Sequence, residues 1–178
     1  FRSGYGRANL EWGRSRNIDG IPGLMVEGEY EWWEARVNPA LAFRMMYPES
    51  CISFLCDAGR GHFDVADRTA EYIGLFLKKA VEQRIPETAD CSRPVALKKL
   101  HLRDGWLAER WRTGKDEPQG EVRTARLARQ PRRSRPAPYS QYKGDKHDAF
   151  WYFDGEMAEL TEAIYRQDHD LLPQYVSF

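Results

Sequence analysis

The sequence lacks any long apolar run. No stretch approaches the roughly 18 to 20 residues needed to cross a bilayer, and the mean hydropathy of −0.71 with 30% charged residues describes a chain suited to water. No membrane-spanning helix, and no membrane partner, is expected. Cysteine is scarce: Cys51, Cys56 and Cys91 are an odd number without a CxxC pair, so neither a disulfide framework nor a zinc ribbon is signalled and the compartment stays open. Cys51 and Cys56 lie in an apolar run and read as small buried hydrophobes. Net charge is absent too, with 27 basic against 27 acidic residues. The opening FRSGYGRANLEWGRSRN has neither the basic start nor the apolar stretch of a signal peptide, and it begins at Phe1 rather than Met. At the other end YVSF is apolar and β-prone, where a polar tail is more usual. The chain is therefore expected to continue beyond both ends.

Against these absences, 42% hydrophobic and 13% aromatic residues in 178 supply enough apolar material for a core. Residues 1–20 are polar, with scattered glycines, and are expected as loop. Ile21–Glu27 is a short apolar run ending at Gly28, as in a buried strand. Asn38-Pro39 opens a helix with Leu41, Phe43, Met45 and Met46, which Tyr47-Pro48 stops. Cys51–Cys56 is a second continuous apolar strand. Two buried strands joined through a helix form a βαβ unit with parallel pairing and a right-handed crossover.

The loop Asp57-Ala-Gly-Arg-Gly-His62 leads into a helix expected over Val65–Gln83. Its apolar stripe is Ala66, Ala70, Ile73, Phe76 or Leu77, Ala80 and Val81, with Asp64 or Asp67 placed to cap it and Pro86 closing it. Thr88 to Pro138 is polar, proline-containing text with one amphipathic anchor, Gly105–Trp111. Within it, residues 122–136 hold six arginines (Arg123, Arg126, Arg129, Arg132, Arg133 and Arg135) and no acid. A solvated linker is the expectation; the abrupt change of composition at both its ends is also what a shifted reading frame would leave. A last helix is expected from Asp148 to Gln167, with Ala149, Phe153, Met157, Leu160 and Ile164 at steps of three or four and Gly155 as its weak point.

The chemistry concentrates where the strands end. A strand running into Gly28-Glu29-Tyr30-Glu31, a helix, a second strand and then Gly59-Arg60-Gly61-His62-Phe63-Asp64 places an acid and a histidine after successive parallel strands, where they can meet at one sheet edge. This succession resembles the C-terminal part of an α/β-hydrolase, in which a strand running into Gly-x-x-Asp/Glu supplies the triad acid and the next strand runs into a Gly-His loop. The resemblance covers about residues 18–86. It implies that Glu31 is the acid, with Glu29 as its competitor, and that His62 is the base. It also implies the chain order serine, acid, histidine, with the serine upstream. No G-x-S-x-G occurs; Gly13-Arg14-Ser15-Arg16-Asn17 lacks the second glycine and the preceding strand. More weakly, Gly105–Arg112, Pro136–Tyr139 and Gly144–Asp154 look like the continuation of large bacterial α/β-hydrolases of unassigned substrate, of the exported kind.

The expected fold class is accordingly α/β: the last parallel strands of a hydrolase sheet with crossover helices, then a linker and a C-terminal helix. Its divisions are residues 1–87 as hydrolase portion, 88–138 as irregular linker and 139–178 as helical extension. The expected function is that of a serine-hydrolase fragment contributing acid and base to cleavage of a carboxylic ester, on a small-molecule, carbohydrate or peptide-like substrate. Alone it is expected to be inactive, and an unpaired sheet edge invites self-association. No cofactor is expected. A metal site at His62, Asp64 and Asp67 has only one local imidazole, since His101, His147 and His169 are distant in sequence. Trp32 and Trp33 could line a pocket, but packing on the next helix suits them better. The alternative is a small α/β binding module whose arginine-rich segment holds nucleic acid, although no aromatic residues interleave the arginines.

Overall fold

A computed structural model describes residues 18–28, 40–42, 44–57, 60–61, 66–110 and 134–166. The protein is a mixed α/β structure containing a small parallel sheet, an antiparallel sheet and a C-terminal helix. Strand β1, Pro22–Gly28, pairs in parallel with β2, Cys51–Asp57, in a register running from Pro22 opposite Cys51 to Gly28 opposite Asp57. All seven residues of β2 are buried, which is why its sequence is continuously apolar rather than alternating: both faces are covered. Between the strands, residues 40–42 and 44–46 are helical and turn in Ala40, Leu41 and Arg44, with Tyr47 buried just beyond. Their i, i+1, i+4, i+7 spacing is that of one helical stripe, and Ala40, Leu41 and Tyr47 join the core cluster; residues 29–39 and Phe43 of the expected crossover lie outside the described residues.

The approach to β1 is fixed locally. Gly20 has φ 74°, and a Cβ there would lie 2.8 Å from Lys99 Cβ, so glycine is required both by conformation and by space. Its N–H donates to Glu49 O, and its carbonyl accepts from Leu100 N, each at 3.0 Å. Residues 1–17 of the expected loop lie outside the described residues.

Helix α1, Asp67–Arg84, matches the expected helix within two residues at each end, but it is rotated from the expected stripe. Thr69, Tyr72 and Phe76 are buried, whereas Ile73, Leu77 and Val81 are exposed. Hydroxyls decide this. Thr69 donates to Asp57, and Tyr72 lies 2.7 Å from Thr161, so two residues that apolar periodicity discounts turn inward with their polar groups satisfied. Thr161 gives its proton to Met157 O, which makes Tyr72 the donor of that pair. The N-cap is Ala66, without a side-chain capping bond, so Asp67 does not cap; it stands in the first turn, where its charge favours the helix dipole. Asp64 lies outside the described residues.

The last helix begins later than its periodicity predicts. Ala149–Tyr152 is strand β5, every residue of it buried, and helix α2 spans Gly155–Arg166. Four successive large or apolar residues cannot share one helical stripe, but a strand covered on both faces buries them all. The start of α2 is set by Asp154, whose carboxylate accepts from Met157 N at 3.0 Å, as an N-cap side chain does. The expected linker anchor is likewise a strand. β3, Trp106–Glu109, lies between β5 and the two-residue β4, Ala137–Pro138, antiparallel to both. A Cβ on Gly105 would overlap the Trp151 indole, which donates through Nε1 to Leu102 O at 3.0 Å.

β5 lies against β2. Ser53 Oγ donates to Trp151 O at 2.6 Å, Tyr152 Oη donates to Phe54 O at 2.7 Å, and the rings of Phe54 and Phe150 stack 5.0 Å apart. One continuous apolar cluster therefore runs from Met25 through Phe54 to Ile164.

Candidate functional site

Both parallel strands end together, with Gly28 opposite Asp57, so the segments following them leave from one edge of the sheet. In α/β folds this C-terminal edge is where loops gather to bind and react with ligands. Gly28 is buried, and a Cβ placed on it would come within 2.6 Å of Arg60 O and 2.8 Å of Gly61 O. The backbone following β2 thus passes directly over the end of β1, and glycine at position 28 is what permits that approach. Gly61 immediately precedes His62, and Gly28 stands three residues before Glu31. Glu31, its competitor Glu29, His62, Trp32, Trp33 and Asp64 themselves lie outside the described residues.

Two acids at this edge escaped the sequence reading. Asp57, the last residue of β2, is fully buried; its Oδ2 accepts from Thr69 Oγ1 at 2.6 Å and its Oδ1 from Arg68 Nη2 at 3.3 Å. Glu27, one residue before Gly28, is also buried and stands in register with Cys56. The available signal was a carboxylate closing each apolar run. That signal is weak, because a carboxylate inside a strand matches no motif, whereas the loop residues downstream do.

Cysteine chemistry is shut away along β2, with Cys51 at its start and Cys56 beside Asp57. Cys51 and Cys56 are completely buried, as their apolar setting predicts. Burial, seconded by the Glu49 charge, pushes the Cys51 thiol up to about 12, so it presents no thiolate at neutral pH. Close by, burial lowers Arg44 to about 10, against the attraction of Cys51 and of Tyr139, Tyr152 and Tyr142.

Among the described residues no group of three or more His, Cys, Asp or Glu side chains is placed to hold a metal ion, and no helix is long and apolar enough to cross a membrane. Of the arginine-rich segment, only residues 134–136 are described; there Ser134 N donates to Glu109 Oε2 at 2.9 Å. Comparison of the chain with protein-family models, with curated proteins and with solved structures finds no match.

Proposed function

We propose that this chain is the acid- and base-bearing part of a serine hydrolase of the α/β-hydrolase type, cleaving a carboxylic ester. The observation that carries the reading is the close approach at Gly28: Arg60 and Gly61, which leave β2 just before the histidine, pass over the last residue of β1, three residues before the acid. Strand, glycine and acid, then strand, glycine and histidine, is the order this chemistry uses. The α/β content and the parallel pairing fit it.

In the mechanism, the His62 imidazole takes the proton of a serine hydroxyl as the oxygen attacks the ester carbonyl, then delivers that proton to the departing alkoxide. Glu31 holds the imidazole in the productive tautomer and stabilises the imidazolium. Water, activated by the same imidazole, hydrolyses the acyl-enzyme. The serine and the backbone N–H groups of an oxyanion hole would come from sequence upstream of Phe1, so the chain alone would be inactive.

The upstream coding sequence is the first test: an apolar strand running into G-x-S-x-G is expected, and an intact upstream region without a Ser, Asp or Cys elbow defeats the reading. In the full-length product, His62→Ala is expected to abolish labelling by a serine-directed phosphonate. Unchanged labelling removes His62 from the mechanism.

A further inference from the structure

Much of the apolar stripe of α1 is turned outward. Ile73, Leu77 and Val81 are 37%, 57% and 54% exposed, three of the six large exposed hydrophobics among the described residues. Their steps of four set them along one side of the helix. Single exposed hydrophobics are ordinary on a protein surface, whereas an aligned row marks a place of association. Gly74 stands in the same row. It does not have the positive φ that calls for glycine, and a Cβ there would meet nothing within 4 Å. Glycine inside a helix weakens it, and the packing of the chain itself gives no reason for one at this position. A close approach from outside does.

We infer that this face pairs with the same face of a second copy of the chain, the two α1 helices running antiparallel about a twofold axis that passes midway between Gly74 and Leu77. Asp67, Ala70, Gly74, Leu77, Val81 and Arg84 alternate steps of three and four, the spacing by which two helices interlock side by side. Antiparallel pairing about that axis sets Leu77 of each copy level with Gly74 of the other, Val81 with Ala70, and Arg84 with Asp67. Large side chains meet small ones, and the ends meet with opposite charge. The flanks agree. On one side Glu71 comes beside Lys78 of the second copy, and on the other Ile73 comes beside Ala80. Lys78 lies 3.8 Å from Glu82 of its own helix, with both side chains mostly exposed, a loose pair that leaves the ammonium able to turn to the second copy.

Parallel pairing in register gives none of this. It sets Asp67 on Asp67 and Arg84 on Arg84, like charge on like, and leaves Gly74 facing Gly74 across an empty layer. The face is complementary to itself only when the helices run in opposite directions. One helix pair buries less than the roughly 1,200 Å² at which stable interfaces begin, so the dimer is weak and its population follows concentration.

Sedimentation velocity of the 178-residue chain between about 5 and 500 μM reads the assembly, under reducing conditions so that the exposed Cys91 takes no part. Circular dichroism establishes that each variant is folded, and every substituted position is exposed. The chain is expected to pass from monomer towards dimer across that range, and Leu77→Lys to weaken the dimer at least tenfold. Gly74→Leu separates this pairing from general stickiness. It adds apolar surface and favours the helix, so an unspecific face would associate more; here it is expected to abolish the dimer, because Leu77 of the second copy loses its space. Glu71→Lys and Lys78→Glu are each expected to weaken the dimer about threefold at low salt, and the two together to restore it. A chain that stays monomeric to the top of the range overturns the proposal. So does a dimer that Leu77→Lys leaves intact, which another surface would hold, and so does one that Gly74→Leu tightens.

Discussion

At the scale of single residues Arg44 is a costly side chain. It is 8% exposed, and its Nε and Nη1 find no hydrogen-bond acceptor among the described residues. A guanidinium stays protonated throughout the ordinary pH range, so its burial without a paired carboxylate sets desolvation against little return. Arg44→Met has similar bulk and no charge. It is expected to stabilise the chain by about 1–3 kcal/mol, read as a rise in melting temperature of roughly 2–4 °C per kcal/mol. Cysteine reactivity follows from the same burial logic. Cys51 and Cys56 are buried and Cys91 is exposed, so iodoacetamide at pH 8 is expected to label the native chain once, at Cys91, and three times after unfolding. Mass spectrometry of the intact and digested protein counts the labels and locates them.

Elements show what the sequence made legible and what it hid. β1, β2 and their parallel pairing could be read because continuous burial writes itself as continuous apolar text, as in Cys51-Ile-Ser-Phe-Leu-Cys56. The ends of α1 were legible for a similar reason, but its inward face was not: periodicity weighs apolarity, and Thr69 and Tyr72 are inside because Asp57 and Thr161 meet their hydroxyls. β5 was hidden because Ala149 and Phe153 fall into step with the true helix positions Met157, Leu160 and Ile164, so helical spacing ran straight through a strand. The signal that breaks the run is Asp154-Gly155, a cap and a poor helix former at the real boundary. At the candidate site the glycines were legible and the buried carboxylates were not. α1 and α2 are joined at this boundary by Lys79, which reaches Asp154 at 2.5 Å and Glu156 at 2.6 Å. Burial alone would lower the Lys79 pKa, but the hydrogen bonds and charges of the two acids outweigh it and raise the value above the usual 10.5. A raised basic pKa contributes stability that is fully present below the unfolded value and is lost as pH rises through the folded one. Lys79→Met is therefore expected to cost about 0.5–1 kcal/mol near neutrality, with the difference between the two proteins' melting temperatures closing as pH climbs past 10.5.

Over the whole molecule, the sheet that carries the candidate site depends on residues far along the chain. β2 is buried on both faces, and part of that cover comes from β5 and α2, some hundred residues later. Ser53, Phe54 and Tyr72 each meet a partner in the stretch from Phe150 to Thr161. Without that stretch, Ser53 Oγ and Phe54 O each lose a hydrogen bond, and the apolar face around Phe54 and Phe76 is exposed to water. Such a surface, on a two-stranded parallel sheet, lacks the apolar burial that offsets the entropy of ordering the backbone. The segment 1–87 expressed by itself is therefore expected to show no cooperative thermal transition by circular dichroism and to associate through its uncovered face. The 178-residue chain is expected to melt in one transition, because its two sheets share a single apolar cluster. Phe150→Ala links the two expectations. Removing the ring that stacks on Phe54 is expected to cost about 3–5 kcal/mol, and it should lower the stability of β2 and β5 amides together in hydrogen exchange. Loss of protection in β5 alone, with β2 untouched, would show that the parallel sheet stands without its distant cover.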